Sequence, residues 1–383
     1  MPTADKAVDI RSILLTEFYR HLKKIEKWGK DMNVVLDRTN VKISGRTTKV
    51  GDTLYLGYSG AYVEFEATTA RVQVAFCTDR EVMEEIYRGW VAVHIDGAKE
   101  PSMRFELTQP EQTVTIFEEA AARKVKLRIV KMSEAAFGIV GIKDLFVEGD
   151  TPVIPTPAKD RRIEFIGDSI TCGYGNEGIN GKDVFCTAQE NPEDAYAILT
   201  ADKLDADYHL VSWSGIGIIT NWVPETAEEP LEEILMPDLY QYRDLRLAEK
   251  LGLPEEKWDF GEYVPDLVVI FIGTNDDSYV RNKADRKENF GGRYYKFLEQ
   301  VHESNQDSAI LCILGTMGQN LCEEEAERVE AFRKAYPAVR IEAIEMPQQL
   351  EEDGIGSDGH PSKITHRKAA ELLSSKIREF MGW

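Results

Sequence analysis

The hydrophobic period of this chain changes across one short segment, Gly149-Asp150-Thr151-Pro152-Val153-Ile154-Pro155-Thr156-Pro157, and two folding units follow from that change. Before it, over positions 34–147, apolar residues recur at every second place. The runs 53–57, 61–66, 71–76, 90–95, 112–116 and 124–130 read as strands with one buried face, separated by turns such as Asp96-Gly97. With no helix between them, they predict a β-sandwich of jelly-roll type. After the segment, the nearly continuous apolar runs 163–167, 208–212, 267–273, 309–314 and 340–344 alternate with helical stretches at 194–204, 292–303, 323–335 and 363–380. That is the pattern of parallel strands covered on both faces, an α/β sandwich. Proline fixes φ and removes donors, so the segment itself is expected to be an extended, stiff linker. Upstream, Ile10, Leu14, Phe18, Leu22 and Ile25 step by three and four residues toward Gly29, the spacing of an amphipathic helix. The expected division is therefore a helix over 1–32, a sandwich over 33–150, a linker over 151–160 and an α/β unit over 161–383. An acidic insertion at 220–262 is expected to form a lid or rim over the catalytic edge.

Charge narrows the partners. Lys and Arg number 46 against 67 Asp and Glu, a net charge of −21, which argues against nucleic acid and anionic lipid. No apolar run approaches the roughly 18 residues of a membrane span. The five cysteines are scattered without a CxxC pair, and the first residues are charged and lack an apolar signal core; both point to a cytoplasmic protein. The amphipathic helix and apolar sandwich edges suit a homo-oligomer. His21, His94, His209, His302 and His366 are dispersed, and Gly173-Tyr174-Gly175 lacks the third glycine of a dinucleotide loop, so no metal and no cofactor are expected. His366 reads as a surface residue of the last helix.

Four segments stand at or after predicted strand ends, where ligands bind in open α/β sheets. They are Gly167-Asp168-Ser169-Ile170-Thr171, Ser212-Trp213-Ser214-Gly215-Ile216-Gly217, Gly273-Thr274-Asn275-Asp276 and Asp358-Gly359-His360-Pro361-Ser362. A serine hydroxyl is a weak nucleophile until a base takes its proton, and histidine has a suitable pKa. Acyl transfer also needs donors around the developing oxyanion, which a glycine N–H and a side-chain amide supply. Ser169, His360, Gly215 and Asn275 are residues of those types. The acid pair Asp276-Asp277 reads as a holder of loop backbone.

In this order, the four segments resemble the sequence blocks of the SGNH (GDSL) hydrolase superfamily. With Gly45-Arg46-Thr47, Gly57-Tyr58-Ser59-Gly60, the proline segment and Gly167-Asp168-Ser169-Ile170-Thr171-Cys172-Gly173-Tyr174-Gly175, the chain is similar to carbohydrate esterase family 2 over roughly residues 40–383. The resemblance implies a jelly-roll domain followed by a flavodoxin-like three-layer hydrolase. It implies an acetyl esterase acting on O-acetylated oligosaccharides of xylan or glucomannan. Ser169 would be the nucleophile and His360 the general base. The Ser169 N–H, the Gly215 N–H and the Asn275 amide would form the oxyanion hole. In most of the superfamily an acid stands three residues before the histidine, where this chain has Ser357; Asp358 stands two before. Either the Asp358 carboxylate or a backbone carbonyl then orients the imidazole. Gly359 replaces the tryptophan often found before the histidine, which implies a more open cleft.

Trp213 and Trp222 flank the second block and are candidate sugar-stacking residues, with core or rim packing as the plainer reading. Two rival functions remain: another SGNH short-chain ester hydrolase, or a catalytically silent carbohydrate-binding protein.

Overall fold

The computed structural model describes residues 31–383. Ten antiparallel strands come first: β1 (Asp31–Asn33), β2 (Lys42–Ser44), β3 (Thr47–Val50), β4 (Thr53–Leu56), β5 (Tyr62–Cys77), β6 (Trp90–Ile95), β7 (Met103–Glu106), β8 (Glu111–Lys131), β9 (Val140–Glu148) and β10 (Ile154–Pro155). They form one curled sheet with the central order β3-β4-β9-β5-β8-β6-β7. The four runs read as separate strands at 61–76 and 112–130 are two long ones, β5 and β8, which pair with each other and shift register between Thr69 and Arg71. Such a shift lets a strand bend and carry its apolar face around the core. The expected helix over 1–32 lies outside the described residues, except that Asp31 and Met32 are strand, paired with Glu148 and Val147.

The proline segment is not a free linker. Ile154 and Pro155 add to the edge of β5 opposite Glu66 and Phe65, Val153 is buried in the sandwich core, and Thr156 Oγ1 donates to Glu64 at 2.5 Å. Proline is compatible with an edge because its missing N–H faces away from the ladder.

The second unit alternates β11 (Arg161–Gly167), α1 (Ser169–Cys172), α2 (Tyr196–Lys203), β12 (Ala206–Ser212), α3 (Met236–Tyr240), α4 (Leu245–Leu251), β13 (Leu267–Phe271), α5 (Thr274–Val280), α6 (Ala284–Ser304), β14 (Ala309–Leu314), α7 (Cys322–Ala335), β15 (Ile341–Glu345) and α8 (Lys363–Met381). Its five strands are parallel in the order β12-β11-β13-β14-β15. Strands β11 and β13 are buried along nearly their whole length, as a sheet covered on both faces requires. Because the chain steps out from β11 in opposite directions, a crevice opens where β11 and β13 end.

The two units share one core. Tyr58, Tyr62, Val130 and Met132 of the curled sheet pack in the same cluster as Ile163, Tyr208 and Leu210. Arg46, fully buried, donates to the carbonyls of Tyr240 and Tyr242 at 2.7 and 2.5 Å and lies 3.7 Å from Glu164. Stranding either partner of that buried pair would be costly. Buried Met236, Leu239, Tyr240 and Trp258 anchor the 220–262 insertion to this core, and Trp222, Leu231, Glu233 and Arg246 from it stand at the rim of a cleft. Among the described residues, no helix is long and apolar enough to cross a membrane.

Candidate active site

Strand β11 delivers Gly167, Asp168 and Ser169 to the crevice. A Cβ on residue 167 would lie 2.0 Å from Thr171 Oγ1, so only glycine lets α1 start this close to the strand. Asp168 caps α1 by accepting from the Ile170 N–H at 3.0 Å. Ser169 then occupies the first helical position and is buried.

From the far end of the chain, His360 comes to meet it. His360 Nε2 is 2.8 Å from Ser169 Oγ, and His360 Nδ1 is 3.2 Å from the Ser357 carbonyl oxygen. A carbonyl can only accept, so Nδ1 carries the proton and Nε2 presents its lone pair to the serine hydroxyl. Burial holds the imidazole below its ordinary pKa, while the Ser357 carbonyl and the Asp358 charge act the other way.

Asp358 does not hydrogen-bond to the imidazole. It sits in the left-handed region at φ 54°, is exposed, and its carboxylate accepts from Tyr174 Oη at 3.0 Å. That turn places the Ser357 carbonyl, not the acid, against Nδ1. Of the two alternatives left open by the sequence, the carbonyl holds. Tyr174 also lays its ring against His360 with centroids 4.5 Å apart, and Phe185 stacks on Tyr174 at 3.6 Å. The row continues through Phe137 to Tyr87, so the curled sheet's loops back the histidine wall.

Carboxylates order the oxyanion side. Asp276 accepts from the Ile218, Ile219 and Thr220 N–H groups at 2.7–3.3 Å and so holds the loop that follows Gly215. Gly215 has φ 81° with open space where a Cβ would point, and no described residue accepts from its N–H. The amide of buried Asn275 donates to the Ile216 carbonyl at 2.8 Å and, more weakly, to Asp168 at 3.3 Å. Asn275 thus bridges the residues beside Gly215 and Ser169. Burial pushes Asp168 up to about 7 and Asp276 up to about 6.

A cleft of about 360 Å³ opens beside Gly215, lined by Trp213, Trp222, Leu231, Glu233 and Arg246. Trp222 is 59% exposed, whereas Trp213 already has the Arg246 guanidinium 4.5 Å over its ring. Gly359 leaves open space where a side chain would stand. His366 is not a surface residue: it is buried, and its Nδ1 accepts from the Tyr196 N–H at 3.1 Å, which couples α8 to α2. Asp168, Tyr174 and Ser357 were missed as positioning groups. Asp168 and Tyr174 lie in and just after the first block, where only Ser169 drew attention, and the backbone carbonyl that the sequence left open as one alternative was not assigned to Ser357.

The chain matches the GDSL-like lipase/acylhydrolase family over residues 165–368 and the carbohydrate esterase 2 N-terminal domain over residues 43–157. It is 34% identical to the cellulase/esterase CelE of Acetivibrio thermocellus over 299 residues, covering 77% of this chain and 34% of that protein, so it spans about a third of that relative's length. It is 28% identical over 346 residues to an acetylxylan esterase / glucomannan deacetylase of Cellvibrio japonicus, covering 90% of each. Among solved structures, a family two carbohydrate esterase from Clostridium thermocellum in complex with cellohexaose superimposes with a TM-score of 0.76 at 30% identity, covering 90% of this chain and 99% of that one.

Proposed function

Since the chain belongs to the GDSL-like lipase/acylhydrolase family and carries a carbohydrate esterase 2 N-terminal domain, we propose that it is a serine esterase removing O-acetyl groups from xylan- or glucomannan-derived oligosaccharides. The 2.8 Å bond from Ser169 to His360 carries the reading. Ser169 Oγ adds to the acetyl carbonyl carbon as its proton passes to His360 Nε2. The Ser169 and Gly215 N–H groups and the Asn275 amide receive the oxyanion; the weak 3.3 Å bond to Asp168 is the one the amide can most readily give up. Collapse of the tetrahedral intermediate breaks the bond to the sugar oxygen, which takes the proton from His360. Water, deprotonated by the same nitrogen, then releases acetate from Ser169. The Ser357 carbonyl keeps the Nδ1 proton in place throughout.

Exposed Trp222 beside the cleft gives a sugar ring a face to stack on. The test is acetate release from acetylated xylo- and manno-oligosaccharides, alongside nitrophenyl esters of increasing chain length. Acetate release abolished by Ser169→Ala is expected; sugar binding without any release by the folded wild-type protein would leave only a binding role. The proposal extends to a reducing, cytoplasmic setting, supported by five free cysteines of which four are buried. Fractionation of the producing cells checks it.

A further inference from the structure

Buried between the two units is a group of polar side chains that the reaction above does not use. Glu134, from the turn after β8, is fully buried and accepts from the Ser214 N–H with its Oε2 at 2.7 Å. Cys172 Sγ, on the helix that carries Ser169, lies 3.9 Å from the same oxygen. The Glu134 N–H in turn donates to Glu190 Oε2 at 3.2 Å, and the fully buried Lys131 ammonium donates to the Gly57 carbonyl and, at 3.5 Å, to the Glu134 carbonyl. Burial pushes both carboxyls up. The Glu134 charge raises Glu190 further, while the Ser214 and Cys172 donors act the other way on Glu134. Lys131 supplies the neighbouring positive charge, with burial bringing it down to about 8.

The consequence is mechanical. Ser214 immediately precedes Gly215, and Cys172 lies in the same short helix as Ser169. One carboxylate therefore touches both the oxyanion loop and the nucleophile's helix, and it comes from the other folding unit. Asp276 fixes the loop only from its far side, at Ile218 to Thr220. Without Glu134, the peptide between Trp213 and Ser214 would have no anchor for its N–H and could turn, carrying the Gly215 N–H away from the oxyanion.

We propose that Glu134 is a positioning residue by which the N-terminal β domain aims the Gly215 N–H at the oxyanion. This rests on the esterase reading of the site. It assigns the curled sheet a part in the chemistry itself, separate from any sugar it holds.

The experiment compares wild-type, Glu134→Gln, Glu134→Leu and Glu134→Ala full-length proteins on nitrophenyl acetate, with active sites titrated and thermal midpoints recorded. Gln still offers an oxygen to the Ser214 N–H; Leu and Ala do not. The expected result is a kcat per titrated site lowered about 10- to 100-fold in Leu and Ala, with KM little changed and most of kcat restored in Gln. Affinity for a boronic acid, whose tetrahedral adduct on Ser169 places an oxygen at the oxyanion position, should fall in parallel. Wild-type kcat and boronate affinity in folded Leu or Ala variants, whatever their thermal midpoint, would overturn the proposal, as would failure of both to fold. A wild-type protein with no activity on acetyl esters would instead overturn the esterase reading.

Discussion

On the serine side of the site, buried carboxylates order the backbone: Asp168 caps the nucleophile's helix, Asp276 gathers three loop N–H groups, and Glu134 takes a fourth. On the histidine side, a main-chain carbonyl and the face of Tyr174 hold the ring, and the nearest acid is turned away. The difference follows from what each side must do. Oxyanion donors are N–H groups of fixed polarity, so carboxylates can hold their loops permanently in place. His360 must alternate between neutral and protonated forms. An acid on Nδ1 would favour the charged form, whereas a carbonyl orients the ring and lets burial keep it neutral.

The comparison can be broken in order of expected effect. Ser169→Ala or His360→Ala should lower kcat by about 10⁴-fold or more, and either alone should cost nearly as much as both together. A double mutant much worse than each single one would show that the pair does not act as a unit. Asn275→Ala should cost about 10²–10³-fold in kcat with KM nearly constant; a KM effect alone would move Asn275 from the oxyanion side to substrate binding. Tyr174→Leu removes the ring face and the Asp358 contact, and about a tenfold loss of kcat is expected, with Tyr174→Phe recovering most of it. Equal losses in both variants would transfer the effect to the hydroxyl.

The smallest effects concern charge. A base must be neutral to act, and burial lowers the His360 pKa, so activity should be present above the shifted pKa and lost as pH falls through it. The acid limb of kcat/KM is therefore expected below pH ~6.5. A midpoint above 7 would mean that a carboxylate governs the ring. Asp358→Ala should change kcat by no more than about threefold and, because the Asp358 charge raises the His360 pKa, move the limb lower still. A hundredfold loss at matched stability would restore Asp358 as the orienting acid.

Much of this was legible in advance. Run 309–314 is a continuous apolar stretch and run 163–167 is interrupted only by Glu164, which is buried beside Arg46; both became interior parallel strands, where burial on both faces favours apolar residues at every position. Runs 61–66 and 71–76 were harder: the polar break around Thr68-Thr69-Ala70 resembles a turn, but the chain bends there within one strand. His366 was misplaced because a helix's period says which residues share a face, not whether another helix covers that face. The proline segment was expected to be an extended linker; its Ile154 and Pro155 form a short strand, and their pairing with β5 depends on an edge far away in sequence.

Period and residue type by themselves determined the two units, the parallel sheet and the four blocks that meet at its edge, because these follow from local alternation and from the chemistry of serine, histidine and amide side chains. Tertiary structure alone decided which group faces His360 Nδ1 and which residue anchors the peptide before Gly215. The first choice turns on two successive residues of positive φ, Asp358 at 54° and Gly359 at 80°. The second joins Glu134 to Ser214 across 80 positions of chain. Both rest on main-chain groups, which every residue carries and no sequence motif marks.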